Sequence, residues 1–327
     1  MIEPLYRRTW DAQRLCLEHP ARFQLPNKVA VLAATCPDGY QSGGQITTAR
    51  WPTMVPEPSG LADRHAVRPV PGGYPYRQTD ENTVDWWVNF AAGELFQFYH
   101  GRCFAQDEIQ VFEHPVLACV REALLAEGLS VRVTDTDAPT PFTIVGAERR
   151  LEFDTSPHPE RGVFYGLYGR KFAAAPTKVL LEAGKPVVPP TTSHVLAMEA
   201  PAYGTGPFQR HEIGFAFAAA YTAFRAAVIE SNRINPTGTC VIHTGFWGCG
   251  AYGGDHVMMT AIQSIAAAWA GVTRLHDYLW DDAGEARFVA GESLAQEVER
   301  STPERTAAAA VERLVMAGRC WRESDGN

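Results

Sequence analysis

The stretch VIHTGFWGCGAYGGDHVMMTAIQSIAAAWAG, residues 241–271, passes from an apolar run through a glycine-rich loop into a helical pattern. Four glycines fall within the seven positions 248–254. Glycine tolerates positive φ angles and lets the backbone approach a ligand closely. The start of a helix behind such a loop presents unpaired N–H groups, which favour a bound anion. The stretch therefore predicts a strand, a phosphate-binding loop and a helix within an α/β fold.

The same glycines allow two other interpretations. Gly248, Gly250 and Gly253 form the pattern G-x-G-x-x-G, which is typical of dinucleotide-binding folds when an acidic residue follows about 20 positions later. Asp277 and Asp281 stand at roughly that place. Against a nicotinamide oxidoreductase, the loop comes late in the chain and only one further strand pattern follows it. A loop whose glycines serve only a turn is the other alternative.

Apolar and turn patterns along the rest of the chain predict strands that alternate with helices. We expect a helix over residues 1–24, strands over 28–35 and 82–92, and a helix after residue 105 that His114-Pro115 interrupts. Further strands are expected over 142–148, 194–201 and 273–280, with helices over 211–232 and 292–319, the last broken at Pro303. Such alternation favours an α/β/α sandwich around a mixed or parallel sheet.

Composition narrows the classes of function. The net charge of −8 argues against a broad electrostatic nucleic-acid surface. No continuous apolar run approaches the roughly 18 residues of a membrane span, and the first residues lack the apolar core of a secretory signal. The seven cysteines are scattered and never form C-x-x-C, which predicts free thiols in a reducing, cytoplasmic setting. No Cys/His group has ligand spacing, so we expect no metal site.

Two motifs together resemble the catalytic domain of poly(ADP-ribose) glycohydrolases, which are macrodomain enzymes. TGFWGCGAYGGD (244–255), followed by IQSIAAA, is similar to the diphosphate-binding loop and helix of that family. The second motif is a strand that ends in Phe90-Ala91 and is followed, after a loop, by Gln106-Asp107-Glu108 at a helix start, where the family has Gln-Glu-Glu. Weaker matches between them occur in the family's order. The resemblance covers about residues 80–285.

The resemblance implies a macrodomain-like three-layer α/β/α sandwich with a central mixed sheet over residues 76–290. Residues 1–75 are expected as an N-terminal accessory segment and residues 291–327 as a C-terminal helical cap. The implied activity is cleavage of a ribosyl glycosidic bond in an ADP-ribosylated substrate. Such cleavage passes through an oxocarbenium-like state and needs a proton donor for the leaving oxygen. The resemblance assigns that role of general acid and base to Glu108 and places Asp107 against the ribose hydroxyls.

The expected ADP-ribose contacts come from both motifs and from aromatic residues able to stack on adenine. They are Phe90, Phe98, Gln106, Tyr168, Gly248, Cys249, Gly250, Ala251, Tyr252, Gly253 and Trp280, with Tyr165 and Tyr278 as further aromatic candidates. Asp255, at the predicted helix start, is either a cap or a ligand contact. The chemistry implies no cofactor, and the expected partner is an ADP-ribose-containing substrate, without membrane or base-specific nucleic-acid binding.

The sequence departs from the family at the substrate end. The family's glycine triplet falls on Phe96, Gln97 and Phe98, and the asparagine that closes its strand motif is Ala92. Asp107 is one methylene shorter than the glutamate it replaces. Bulky residues cannot offer the close backbone approach of glycine. Two alternatives therefore stay open: a non-catalytic ADP-ribose-binding module, and an enzyme for a small NAD-derived metabolite, whose aglycone Phe96, Phe98 and Tyr99 would enclose.

Overall fold

The computed structural model describes residues 2–37, 39, 42–56, 66–280 and 283–326. Its strands are β1 (Tyr6–Asp11), β2 (Gln45–Arg50), β3 (Ala66–Val70), β4 (Thr83–Ala91), β5 (Thr134–Asp135), β6 (Ala138–Pro139), β7 (Phe142–Phe153), β8 (Gly184–Glu199), β9 (Thr239–Gly245) and β10 (Arg274–Tyr278). Its helices are α1 (Ala12–Glu18), α2 (Pro26–Thr35), α3 (Gln106–Glu113), α4 (Val116–Ala126), α5 (Arg170–Ala174), α6 (Thr177–Ala183), α7 (Arg210–Ile234), α8 (His256–Ala270), α9 (Gly284–Ser301) and α10 (Ala307–Met316).

Within the described residues, eight strands form one mixed sheet in the order β1-β2-β7-β8-β4-β9-β10-β3. The strands from β8 to β3 run parallel, whereas β1, β2 and β7 pair antiparallel at the other side. Three of these strands come from the first 75 residues, so the segment expected to be accessory is continuous with the sheet. The predicted mixed sheet is confirmed.

Helices cover both faces of the sheet. Val84, Trp86 and Val88 on β4 point to one face, where they pack with α7, α8, α9 and α10. The alternate residue Ala91 points to the other face, where α1 and α4 pack, and α2, α3 and α6 cover the adjoining part of that face. Side chains of a strand alternate between faces, so a strand buried on both sides is apolar on both. The three-layer α/β/α sandwich is therefore present as predicted.

Two predicted elements are wrong. The helix expected over 1–24 is a strand, β1, followed by the short helix α1, and the strand expected over 28–35 is the helix α2. In α2 the buried residues Lys28, Val31, Leu32 and Thr35 recur with the spacing of one helix face. Pro26 occupies the first helical turn, where proline is favoured.

The central helix α7 is long and apolar enough to cross a membrane by length and composition alone. More than half of its most apolar window is buried inside the protein. It packs against α8 and α10 in the larger hydrophobic core, so its apolar character is explained by that packing.

Candidate active site

The two motifs meet at the carboxyl ends of the neighbouring parallel strands β4 and β9. The chain leaves β4 toward α3 on one face of the sheet and leaves β9 toward α8 on the other face. Diverging connections of this kind open a crevice at the carboxyl edge of a parallel sheet, where α/β proteins bind ligands. One wall of this cleft is the loop 246–255, and the other is the first turn of α3.

The loop 246–255 exposes a run of unpaired backbone donors. Among the described residues, the amides of Gly250, Ala251 and Tyr252 donate to no protein acceptor. The amides of Gly253 and Gly254 close the loop on the carbonyls of Gly250 and Gly248, at 3.0 and 2.9 Å. Successive free amides ahead of a helix N-terminus form an anion-binding concavity. The loop therefore has the backbone geometry that a phosphate cradle requires, and phosphate binding stays a prediction.

The glycines of this loop are required by its conformation. Gly248 has φ of 76° and Gly253 φ of 74°, in the left-handed region that disfavours side chains. A Cβ at position 248 would lie 2.5 Å from Cβ of Ala200, and one at 253 would lie 2.6 Å from the carbonyl oxygen of Arg322. The amide of Cys249 bonds to Phe246 O and its thiol to Trp247 O, and its contact with a ligand stays a prediction.

A C-terminal strap, residues 319–326, runs along the cradle loop. Arg322 N donates to Gly253 O at 2.8 Å and Ser324 Oγ donates to Ala251 O at 2.7 Å. These bonds occupy loop carbonyls and leave the loop amides for a ligand. No sequence pattern predicts this contact, since the segment was expected only as part of a helical cap.

Asp255 joins the strap to the start of α8. Its Oδ1 accepts from the amide of Met258, and both carboxylate oxygens accept from the Arg319 guanidinium at 2.8 and 2.7 Å. Asp255 is therefore a helix cap and an anchor for the strap rather than a ligand contact. The structure resolves the alternative that the sequence left open.

The opposite wall is held to the sheet by Gln106. Its side-chain oxygen accepts from Phe90 N at 2.8 Å, and its side-chain nitrogen donates to Val88 O at 2.9 Å. Its backbone amide donates to the Tyr168 hydroxyl at 3.3 Å. Gln106 thus joins α3 to the end of β4 and to Tyr168, and its contact with a ligand stays a prediction.

Asp107 and Glu108 form a buried acid pair in the first turn of α3. They are only 6% and 4% exposed. Glu108 Oε2 accepts from the amide of Ala105 at 2.8 Å, and Asp107 Oδ1 accepts from the side-chain amide of Asn89 at 3.0 Å. Asn89, at the end of β4, was missed by sequence reasoning, although it directly precedes the matched Phe90-Ala91.

The charges of the acid pair act on each other and reach across the cleft. Burial, and next the negative charge of Glu108, raises the pKa of Asp107 well above its ordinary value. Burial also raises the pKa of the Tyr252 hydroxyl, with further contributions from Glu199, Tyr203 and the acid pair. Tyr252 belongs to the cradle loop, so the pair and the cradle face one site. A carboxyl whose pKa is raised is the kind of group that acid catalysis needs.

The expected aromatic contacts divide into cleft and core residues. Phe90 and Trp280 both approach Gly245 at the base of the cradle loop, at 3.7 and 2.9 Å from the position of an added Cβ. Trp280 is half exposed, and Tyr252 and Tyr168 stand on opposite walls. Tyr278 is buried, with its hydroxyl at 3.2 Å from His243 Nδ1, and is a core residue. Tyr165 is 80% exposed.

Phe96, Phe98 and Tyr99, which the sequence suggested as the wall around an aglycone, do not lie together on one surface. Phe96 is fully buried, with a left-handed φ of 53°, and Tyr99 is buried beside it in the core against α4. Phe98 is 43% exposed on the loop before α3, and its contact with a ligand stays a prediction. Of the three aromatic residues, only Phe98 is available to a substrate.

Asp277 does not serve a ribose as the nicotinamide interpretation requires. Its carboxyl is 1% exposed and interacts with Thr260 of α8 and Glu292 of α9. Burial, and then the charge of Glu292, raises its pKa to about 7. Asp281 lies outside the described residues. Of the two acidic candidates, the described one, Asp277, is therefore too buried to contact a ribose.

The raised pKa of Asp277 predicts a pH-dependent stability. Because the pKa is higher in the folded state, the stabilisation is complete below about pH 4 and is lost as the pH rises through 7. Asp277→Asn is therefore expected to unfold at nearly the wild-type temperature at pH 4 and to be more stable at pH 8, by on the order of 2–4 kcal/mol. Thermal unfolding at both pH values measures this. The exposed control Asp137→Asn should show no pH-dependent gain, and an equal gain in both variants would refute the assignment.

The family model for poly(ADP-ribose) glycohydrolase (PARG), macro domain fold, matches residues 164–284. The matched segment is less than half of the chain and lies within the region over which the sequence resembles the family. The matched segment includes Tyr168, the cradle loop and Trp280. The acid pair lies before it, so the role of that pair rests on the geometry described above. No curated protein matches the chain by sequence.

Several solved structures are similar to this chain. Poly(ADP-ribose) glycohydrolase from Thermomonospora curvata is 14% identical with a TM-score of 0.44, over 88% of this chain and 85% of that one. The glycohydrolase from Deinococcus radiodurans in complex with ADP-ribose is 11% identical with a TM-score of 0.43, over 88% and 95%. An Oceanobacillus iheyensis macrodomain with ADP is 10% identical with a TM-score of 0.40, over 76% and 98%.

Proposed function

We propose that the protein is a glycohydrolase that cleaves the ribosyl bond of an ADP-ribosylated substrate. One observation carries this proposal: the free amides of the loop 246–255 and the buried acid pair both lie at the carboxyl edge of the neighbouring strands β4 and β9. The cradle suits a diphosphate, and the acid pair suits the bond to be broken. Free thiols at all seven cysteines fit the expected cytoplasmic setting.

Each wall has a separate task in this reaction. The amides of Gly250, Ala251 and Tyr252 hold the diphosphate by charge-assisted hydrogen bonds, which fixes the ribose relative to α3. Glu108 donates a proton to the leaving oxygen as the oxocarbenium character of the ribose develops. It then accepts a proton from the water that completes hydrolysis. Asp107 shares the buried environment and faces the ribose hydroxyls.

The test is release of free ADP-ribose from a panel of substrates. The panel contains proteins ADP-ribosylated at acidic, serine and arginine side chains, the polymer, and small ADP-ribosyl compounds. The proposal expects ADP-ribose to appear from at least one of them, with a matching loss of modified substrate. If ADP-ribose binds but no substrate releases it, the protein is an ADP-ribose-binding module. The second product of the cleaved substrate then identifies the aglycone.

The strap also predicts an effect on affinity. Asp325 Oδ2 lies 3.0 Å from the position of a Cβ on Gly250, and its charge adds to the raised pKa of the Tyr168 hydroxyl, which burial mainly causes. A negative charge between these walls opposes a bound diphosphate. Asp325→Asn is expected to bind ADP-ribose about threefold to tenfold more tightly at low salt, with the gain shrinking as salt is added.

Calorimetric titration measures this gain. The matched control is Glu323→Gln, which removes the same charge from an exposed position two residues earlier in the strap. Equal changes in both variants would mean that only the net charge matters. Weaker binding by Asp325→Asn would mean that this carboxylate supports the cradle rather than opposing the ligand.

A further inference from the structure

The loop that precedes α3, residues 94–105, is held in place by the N-terminal segment. The amides of Gln24 and Leu25 both donate to His100 O, at 3.0 and 3.3 Å. The amide of Arg22 donates to the Tyr99 hydroxyl at 2.9 Å. This loop contains the three residues that replace the family's glycines and leads directly into the acid pair. Its position therefore determines where α3 begins.

Lys28 makes the most buried of these contacts. It is 0% exposed, and its ammonium donates to Tyr99 O and Cys103 O, both at 2.8 Å. It also lies 5.6 Å from the centre of the Phe104 ring. Among the described residues, no carboxylate forms an ion pair with this ammonium. A buried unpaired charge costs several kcal/mol, so its presence beside a cleft points to a role that an apolar side chain cannot fill.

We propose that Lys28 is a positioning residue for the acid pair: its ammonium joins two carbonyls of the loop 94–105 and places a positive charge behind Asp107 and Glu108. This inference rests on the proposed glycohydrolase function. The same contacts explain how the loop is held without the family's glycines. Its bulky residue Phe96 is buried, and Lys28, which lies outside the two family motifs, holds the loop in place. The loop conformation and the charge beside the acids then depend on one side chain.

The electrostatic surroundings agree with this role. Burial lowers the pKa of Lys28 to about 8, while the charges of Glu108, Cys103 and Asp107 oppose that change. In turn Lys28, together with Arg121 of α4 and the amide of Asn89, lowers the pKa of Asp107 against burial and Glu108. Below pH 8 the ammonium therefore favours ionisation of Asp107. Without it, Asp107 is expected to hold its proton to higher pH.

The test compares Lys28→Met with the wild type and with Lys178→Met, an exposed lysine of α6 that loses the same charge. Misplacement of α3 is expected to lower kcat by about 10²-fold in Lys28→Met, with the Kd for ADP-ribose unchanged because the cradle is on the other wall. The inflection in the pH-rate profile, recorded below pH 8, is expected to move to higher pH by roughly one pH unit. The Lys178→Met profile stays in place.

A loss of kcat without movement along the pH axis would overturn the electrostatic role and leave a structural one. Lys28→Gln keeps one donor for the loop carbonyls without the charge, so it should restore part of kcat and retain the displaced profile. Thermal unfolding of each variant confirms that it is folded.

A second measurement does not depend on activity. Titration of the Asp107 carboxyl by 13C NMR, assigned with Asp107→Asn, should give a higher pKa in Lys28→Met than in the wild type. An unchanged pKa refutes the inference even if the protein is a glycohydrolase. A raised pKa supports the coupling even if no substrate on the panel is cleaved, so failure of the two proposals can be distinguished.

Discussion

Glu108→Gln is expected to abolish release of ADP-ribose while leaving ADP-ribose affinity close to that of the wild type. Glutamine matches the size of glutamate and still accepts the amide of Ala105 through its side-chain oxygen, so the first turn of α3 is retained. It cannot donate a carboxylic proton or take one from water. Proton transfer by a positioned side chain accelerates a reaction by about 10²–10⁴-fold, so the rate is expected to fall by at least about 10²-fold.

Turnover and calorimetry on the same preparations measure this difference. The control Asp107→Asn retains a partner for Asn89 and should lower the rate less than Glu108→Gln. If Asp107→Asn is the more damaging change, the proton donor is Asp107, whose pKa is the raised one. If neither variant changes the rate, the chemistry lies elsewhere.

Gly248→Ala is expected to disable the cradle. Alanine at φ of 76° costs about 1–2 kcal/mol, and its Cβ would lie 2.5 Å from that of Ala200, so the loop must shift. Displacing even one amide from a diphosphate loses about 1.5–3 kcal/mol of charge-assisted hydrogen bonding, which corresponds to roughly 10- to 100-fold in ADP-ribose affinity.

Gly271→Ala provides the control for strain alone. Gly271 ends α8 with φ of 83°, and the nearest atom to an added Cβ is Arg225 Nη1 at 3.9 Å. It should lower the unfolding temperature without changing ADP-ribose affinity. Unchanged affinity in Gly248→Ala would mean that the loop does not hold the ligand.

The fold around β9 and α8 is predictable because several local signals agree there. An apolar strand, clustered glycines, a capping Asp255 and an apolar helix occur in succession. The helix α2 was mistaken for a strand because a short apolar run cannot be assigned by hydrophobicity alone. Its burial at 28, 31, 32 and 35 and its Pro26 were signals of a helix. The mostly exposed strand β1 offers no alternating pattern, so only its pairing with β2 defines it.

The site was predictable in its two motifs but not in what supports them. Glu108, Asp107 and the loop glycines carry chemistry that a pattern can reveal. The strap contact at Ser324 and the buried Lys28 are tertiary arrangements between segments far apart in the chain. A lysine is rarely buried, and nothing in its neighbours distinguishes it from a solvated one. Such contacts become visible only when the chain is folded.

The most direct test of the two-walled site is a crystal structure of Glu108→Gln with ADP-ribose. The diphosphate is expected to lie within hydrogen-bond distance of the amides of Gly250, Ala251 and Tyr252. The C1′ atom of the terminal ribose is expected to face the side chain at position 108. Adenine should lie near Phe90 and Trp280. ADP-ribose bound away from the cradle, or with its C1′ atom directed away from α3, would contradict the account.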